Sequence, residues 1–185
     1  MDYLIPNPPV SEIQKNFNKY MKQIYPQVAK VCTQEMNGMH GLNTHTAAVV
    51  FRGIDYALSL KENPWPVILA CAFHDMARTN DDFDIEHGNN AVPMAEQIMQ
   101  KLDIKKQIKE SVKFAIINHT TGMVAPDYIS ACLWDADRTR LSWEYGYKPN
   151  YFNTLRAKQI ASSDYKKYIK FQKKCLPDLL WDKTY

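Results

Sequence analysis

Residues 70–88 read ACAFHDMARTNDDFDIEHG. The stretch starts as uninterrupted apolar helix, breaks at His74-Asp75, crosses an acidic loop and reaches His87-Gly88. A carboxylate and an imidazole at the end of an all-apolar helix look into low-dielectric core, where an ionised group is costly unless an opposite charge or a metal accompanies it. A cation removes that cost. The remaining question is which other segments bring compatible ligands to the same place.

Reading outward, Asn63-Pro64-Trp65-Pro66 opens the helix that carries VILACAF, because proline is tolerated in a first turn. The run is apolar on all sides, as a buried central helix would be. On the C-terminal side the spacing predicts a helix starting near Gly88 with Met94, Ile98 and Leu102 inward, Pro93 delaying its regular part to about Val92. Asp103 is the expected cap of a helix with Ile104, Ile108, Val112, Ala115 and Ile116 on one face, which leaves His119 at the core side of its end. Asp127 caps the next, where Ile129, Cys132, Leu133 and Ala136 form the inward stripe. Asp137 falls four residues after Leu133, and Asp135 points more nearly away.

On the N-terminal side, Ser11 with Gln14 reads as a capping box before Ile13, Phe17, Met21, Ile24 and Val28, a stripe that Pro26 kinks. Thr44 reads as the cap of a helix through His45, Val49, Ile54 and Leu58. FNTLRAKQIA (152–161) and DYKKYIKFQKKCL (164–176) add one or two more helices before Pro177. No segment alternates in the manner of a strand series. The expected fold is all-α, a single-domain helical bundle over residues 1–185.

Composition narrows the function classes. Net charge is +3, and the basic cluster KKYIKFQKK at 166–174 reads as a solvated helix face, so no obligate nucleic-acid partner is expected. The four cysteines, Cys32, Cys71, Cys132 and Cys175, form no C-x-x-C pair, which suits a reducing compartment. No basic leader or membrane-spanning run of about 20 apolar residues is visible, so a cytoplasmic protein without membrane partners is expected.

All five histidines lie between positions 40 and 119. His45, His74, His87 and His119 occupy helix ends or core-side faces near carboxylates, and imidazole with carboxylate suits divalent Mn, Fe, Co, Ni or Zn. The bland alternatives are a satisfied core histidine for each of these alone, and for Asp135 and Asp137 a solvated face paired with Arg138 and Arg140.

The order His45, His74-Asp75, Asp137 resembles the H...HD...D signature of the HD-domain superfamily of metal-dependent phosphohydrolases. Three longer runs resemble small members of it: HGLNTHTAAVV its opening helix, AFHDMARTNDDFDIEHG its HD pair with an Arg-x-Asn-Asp loop, and CLWDADRTRLSWEYGY its DADR helix. The likeness covers about positions 40–160. It implies an HD-type bundle with a metal held by His45, His74, Asp75 and Asp137. It also implies that His87 and His119 match positions which in two-metal branches hold a second ion, with Asp75 bridging; one ion or two stays open, and Mg joins the list of candidate metals.

The activity so implied is hydrolysis of a phosphate ester of a small molecule, a nucleotide or phosphorylated metabolite, by attack of metal-bound hydroxide. His74, Asp75 and Arg78 are then the catalytic candidates. Arg78, one turn after His74, is the favoured phosphate-binding cation, with Arg138 and Arg52 either assisting or forming surface salt bridges. His40, in a glycine-flanked loop, is either a proton donor to the leaving group or an exposed turn residue, and Asn80, Asp81 and Asp84 are candidates to orient ligand imidazoles. Two rivals share the scaffold: a di-iron oxygenase, and a non-catalytic metal-binding regulatory module. A homodimer is the assembly to test.

Overall fold

The structure of the protein is a computed structural model that describes residues 5–36, 38–163 and 165–177. Every regular element among them is helical: α1 Val10–Gln23, α2 Tyr25–Val28, α3 Ala47–Ser59, α4 Pro64–Phe73, α5 His87–Lys101, α6 Lys106–Ile117, α7 Tyr128–Tyr145, α8 Leu155–Ala161 and α9 Tyr165–Cys175. Asp164, which belongs to the last run read from the sequence, lies outside the described residues.

Helix α4 is the centre. From Val67 to Phe73 every side chain is buried, and the helix packs against α3, α6 and α7. An apolar helix without a polar face is stable only when surrounded in this way. Asn63 caps it by accepting from the Trp65 N–H. The α3–α4 approach depends on Gly53: a Cβ there would lie 2.6 Å from the Cys71 sulfur. Outside this core, α5 packs on α6, α8 on α7, and α1 against α3, α2 and α9.

Several local expectations are corrected. Helix α1 begins at Val10 with Pro9 preceding it and no capping side chain, and Gln14 donates instead to the Cys175 carbonyl, tying α1 to α9. Pro26 sits in the first turn of the separate α2, so the stripe is broken into two helices. Thr44 does not cap: it lies inside a π-helical turn, Leu42–Thr46, that leads into α3, and its hydroxyl donates back to the Gly38 and Gly41 carbonyls. Helix α5 is regular from His87 onward despite Pro93, because Pro93 and Asn89 both face solvent and the carbonyl that loses its partner can bond water. Asp103 closes α5 in a left-handed conformation (φ 51°) rather than opening α6, whose preceding residue is Lys105. Asp127 does cap α7, accepting from the Ser130 N–H at 2.8 Å.

Among the described residues no helix is long and apolar enough to cross a membrane.

Candidate metal centre

Helix ends build the site. His45 sits in the π-helical turn before α3, His74 ends α4 with Asp75 next, His87 opens α5, and His119 follows the end of α6. Asp137 comes from within α7. Gly88 allows the α5 start to press against the α6 end, since a Cβ there would lie 2.4 Å from the Ile116 carbonyl oxygen. That close approach puts His87 beside His119.

Three of the imidazoles are held by one device. His74 Nδ1 lies 2.8 Å from the Cys71 carbonyl, His119 Nδ1 lies 2.6 Å from the Ile116 carbonyl, and His87 Nδ1 bonds the Asp84 carbonyl, each three residues back. A carbonyl can only accept, so each Nδ1 carries a proton and each ring turns its Nε2 into the site, where loss of any second proton leaves a lone pair free to ligate. Those lone pairs crowd together: His87 and His119 Nε2 are 2.7 Å apart, and His45 and His74 Nε2 are 3.3 Å apart. Two acceptors at such distances repel unless a proton or a cation lies between them.

Asp75 divides the candidate ligands into two sets. Its Oδ2 lies 3.3 Å from His74 Nε2 and 3.5 Å from His45 Nε2, and its Oδ1 lies 3.0 Å from His87 Nε2 and 3.7 Å from His119 Nε2. Asp137 Oδ1 joins the first set at 3.1 Å from His45 and 3.8 Å from His74. Donors about 2.0–2.2 Å from one cation are separated from each other by roughly 3–3.5 Å. The observed spacings are close to that, and both sets, His45/His74/Asp75 and Asp75/His87/His119, are buried groups that could hold a metal ion. Neutral imidazole and carboxylate donors without sulfur fit a borderline divalent ion.

Burial and the two carboxylates set the charges around His45 and His74. Burial, only partly offset by Asp137 and Asp75, lowers His45 to about 4 and keeps its ring neutral. Burial also disfavours charge on His74, but the Asp75 charge and hydrogen bond, followed by Asp137, outweigh it and push this group up to about 9. Desolvation works against the ionised forms of Asp75 and Asp137, yet the surrounding imidazoles hold both well below the usual carboxylate range.

The other expected residues have diverse fates. Asp135 is not on a solvated face: it is fully buried and accepts from the Asn153 and Thr154 backbone N–H groups, because α7 is enclosed on that side by α8 and its entry loop. Arg52 is fully buried beneath α7, its Nε donating to the Ala136 carbonyl at 2.5 Å, which removes it from any contact with substrate. Arg138 is neither a surface ion pair nor a free cation. Its guanidinium donates to the His119, Gly122 and Tyr151 carbonyls and pins the loop after α6. Arg78 supports Asp75 Oδ1 from 3.2 Å and also donates to the Asn80 and Asp82 carbonyls. His40 lies at the rim, its Nδ1 2.6 Å from Asp81 Oδ1. Asp84 holds the His87 ring through its backbone carbonyl, whereas the Asn80 side chain accepts from the Asp82 N–H.

Asp75, Asp137, Arg78, Arg138 and all the histidines but His74 line a cleft of about 180 Å³. Three of its lining residues were not site candidates in the sequence: Thr120, Leu141 and Arg140, the last read only as an ion-pair partner on a solvated face. Arg140 stands out because its Nε is buried without a hydrogen-bond partner and its ion pair to Glu144 is long, 3.5 Å. The signal existed: Asp137, Arg140 and Leu141 are spaced i, i+3, i+4 and therefore share one helix face, and all three line the cleft.

No family model matches the chain, and no curated protein matches it in sequence. Among solved structures it is similar to the crystal structure of a predicted HD superfamily hydrolase from an uncultured Thermotogales bacterium. The match has a TM-score of 0.63 and 21% identity, and covers 86% of this chain and 92% of that one. The chain has an all-α HD-domain fold.

Proposed function

We propose that the protein is a metal-dependent phosphohydrolase that cleaves a phosphate ester of a small molecule. The observation that carries this reading is Asp75, whose two oxygens each face a separate pair of imidazole Nε2 atoms. His45, His74, Asp75 and Asp137 would hold one divalent ion, and Asp75, His87 and His119 a second. When bound, such a pair acidifies water and neutralises charge on a phosphoryl group.

The rest of the work belongs to the chain. The Nδ1 bonds to Cys71, Asp84 and Ile116 fix ring orientation before any ligand arrives, so little reorganisation is needed. Arg78 acts as a positioning residue: it holds Asp75 while its own guanidinium is tied to the loop. Arg140 lines the cleft, its Nη1 held only by a 3.5 Å ion pair to Glu144, and is the better contact for an anionic oxygen. His40, which pairs with Asp81 at the rim, would give a proton to a departing alcohol.

Metal analysis of protein purified without added metal, followed by a phosphatase and phosphodiesterase screen across Mn, Fe, Co, Ni, Mg and Zn, tests the proposal. Phosphate release under anaerobic conditions supports it. Protein that contains two irons, consumes oxygen and releases no phosphate would move the assignment to the oxygenase that the same donor set permits.

A further inference from the structure

Beside the metal cleft lies a second and larger hollow of about 360 Å³, with Thr120, Arg138 and Leu141 common to both. The cleft, at about 180 Å³, falls short of the roughly 300–1,000 Å³ usual for a small-molecule site; the hollow reaches that range. A molecule reacting in the cleft therefore has room for its reacting end only; of the two hollows that share lining residues with the cleft, the one at His40 and Arg78 holds about 90 Å³, and only this one has room for an organic group.

Its lining is unusual for a surface. Met123, Leu141, Tyr145 and Tyr151 are 44%, 43%, 75% and 41% exposed, and all four converge here, with buried Phe152 among the lining residues. Large apolar side chains are normally scattered singly over a surface, and a cluster around a concavity marks a binding site. The lining contains no carboxylate, while Lys148, 5.4 Å from the Tyr151 ring centre, and Arg138 supply positive charge. A cationic body is disfavoured in such a hollow, and a flat uncharged one can lie against tyrosine faces.

We infer that this hollow binds the organic part of the substrate, and that the ester cleaved carries a flat, aromatic, uncharged body, with Met123, Tyr145 and Tyr151 as its specificity-determining walls. The inference rests on the proposed phosphohydrolase reading for the orientation of the ligand, phosphate in the cleft and body in the hollow.

Calorimetric titration of manganese-loaded protein with 1-naphthylphosphonate and methylphosphonate tests it without requiring turnover. The wild type should bind the naphthyl compound at least about tenfold more tightly, a difference of about 1.4 kcal/mol. In Met123→Trp, which fills the hollow, and separately in Tyr145→Ala/Tyr151→Ala, which removes two exposed walls with little risk to folding, that preference should shrink to less than about threefold. A wild-type preference near one, a preference unmoved by both variants, or binding of neither phosphonate overturns the inference. The two readings fail separately. Naphthylphosphonate preference that both variants abolish, with no hydrolysis of 1-naphthyl phosphate under any divalent ion, defeats the hydrolase reading and leaves the hollow standing. Equal kcat/KM for naphthyl and methyl phosphates defeats the hollow and leaves the hydrolase.

Discussion

Two of the protein's buried carboxylates, Asp55 and Asp75, are balanced in opposite ways. Asp55, on α3, is fully buried and receives Arg156 Nε and Nη2 at 3.0 and 3.1 Å, with the Tyr168 hydroxyl at 2.8 Å. The same guanidinium reaches the Ile5 carbonyl and the Asn7 side chain, so one ion pair ties the N-terminal segment, α3, α8 and α9 together. Asp75 is buried almost as deeply, but apart from Arg78 its neighbours are imidazole Nε2 atoms directed at it and at one another. The first cluster is complete as built from protein alone. The second is a set of acceptors that a proton or a cation must complete. A buried charge by itself is thus weak grounds for function; what separates the two sites is whether the neighbouring atoms are donors.

The comparison is most sharply broken at Asp75. Asp75→Ala should lose both metal equivalents and lower hydrolysis by more than about 100-fold, since it removes the one group shared by both sets; elemental analysis with a phosphate-release assay reads this, and retained activity defeats the metal mechanism. Arg156→Met should do the reverse. It leaves Asp55 buried without its cation, at a cost of about 3–5 kcal/mol in unfolding free energy, while the metal content of the folded fraction stays at the wild-type level. Denaturant unfolding alongside metal analysis separates the two clusters, and a stability loss below about 1 kcal/mol would mean that the Asp55 pair is not the clasp described here.

Removing metal from the wild type should lower stability in a concentration-dependent way, by about 4 kcal/mol at a free metal concentration 1,000 times Kd. A melting temperature indifferent to chelator would contradict a folded-state metal site. The pH dependence follows from His74. Without metal its ring is protonated up to about pH 9, and ligation requires that the proton leave. Affinity should therefore rise with pH by about tenfold per unit and level off above pH 9. His45, lowered to about 4, is neutral across that range and adds no slope. Calorimetry in buffers of different ionisation enthalpy should detect about one proton released per first metal bound at pH 7. The smallest expected effect is at Arg140: Arg140→Ala should raise KM for a phosphate ester by about tenfold, about 1.4 kcal/mol, with kcat changed less.

Much of this was legible in the sequence and some was not, for identifiable reasons. The apolar α4 run ending at His74-Asp75 and the Asp127 cap could be read because they depend on neighbours along the chain. The caps expected at Ser11, Thr44 and Asp103 were misread, since the same residue types also serve turns, and which use prevails depends on where the preceding backbone runs. Asp135 and Asp137 look alike in sequence two residues apart; α8 and its entry loop claim one and the imidazoles claim the other.

The arginines were the least legible. A guanidinium takes whatever carbonyls lie within reach, and for Arg52 and Arg138 those belong to Ala136, His119, Gly122 and Tyr151, remote in sequence or brought round by loops. Chain composition and periodicity alone determined that this protein is helical, that His74-Asp75 ends a buried helix, and that enough imidazole and carboxylate exists for a metal. Only the tertiary structure decided that Asp75 divides its two oxygens between two sets of imidazoles, and that Arg140 lines the cleft. Ligand type is a property of residues, but whether a buried group meets donors or acceptors is set by the packing of helices far apart in the chain.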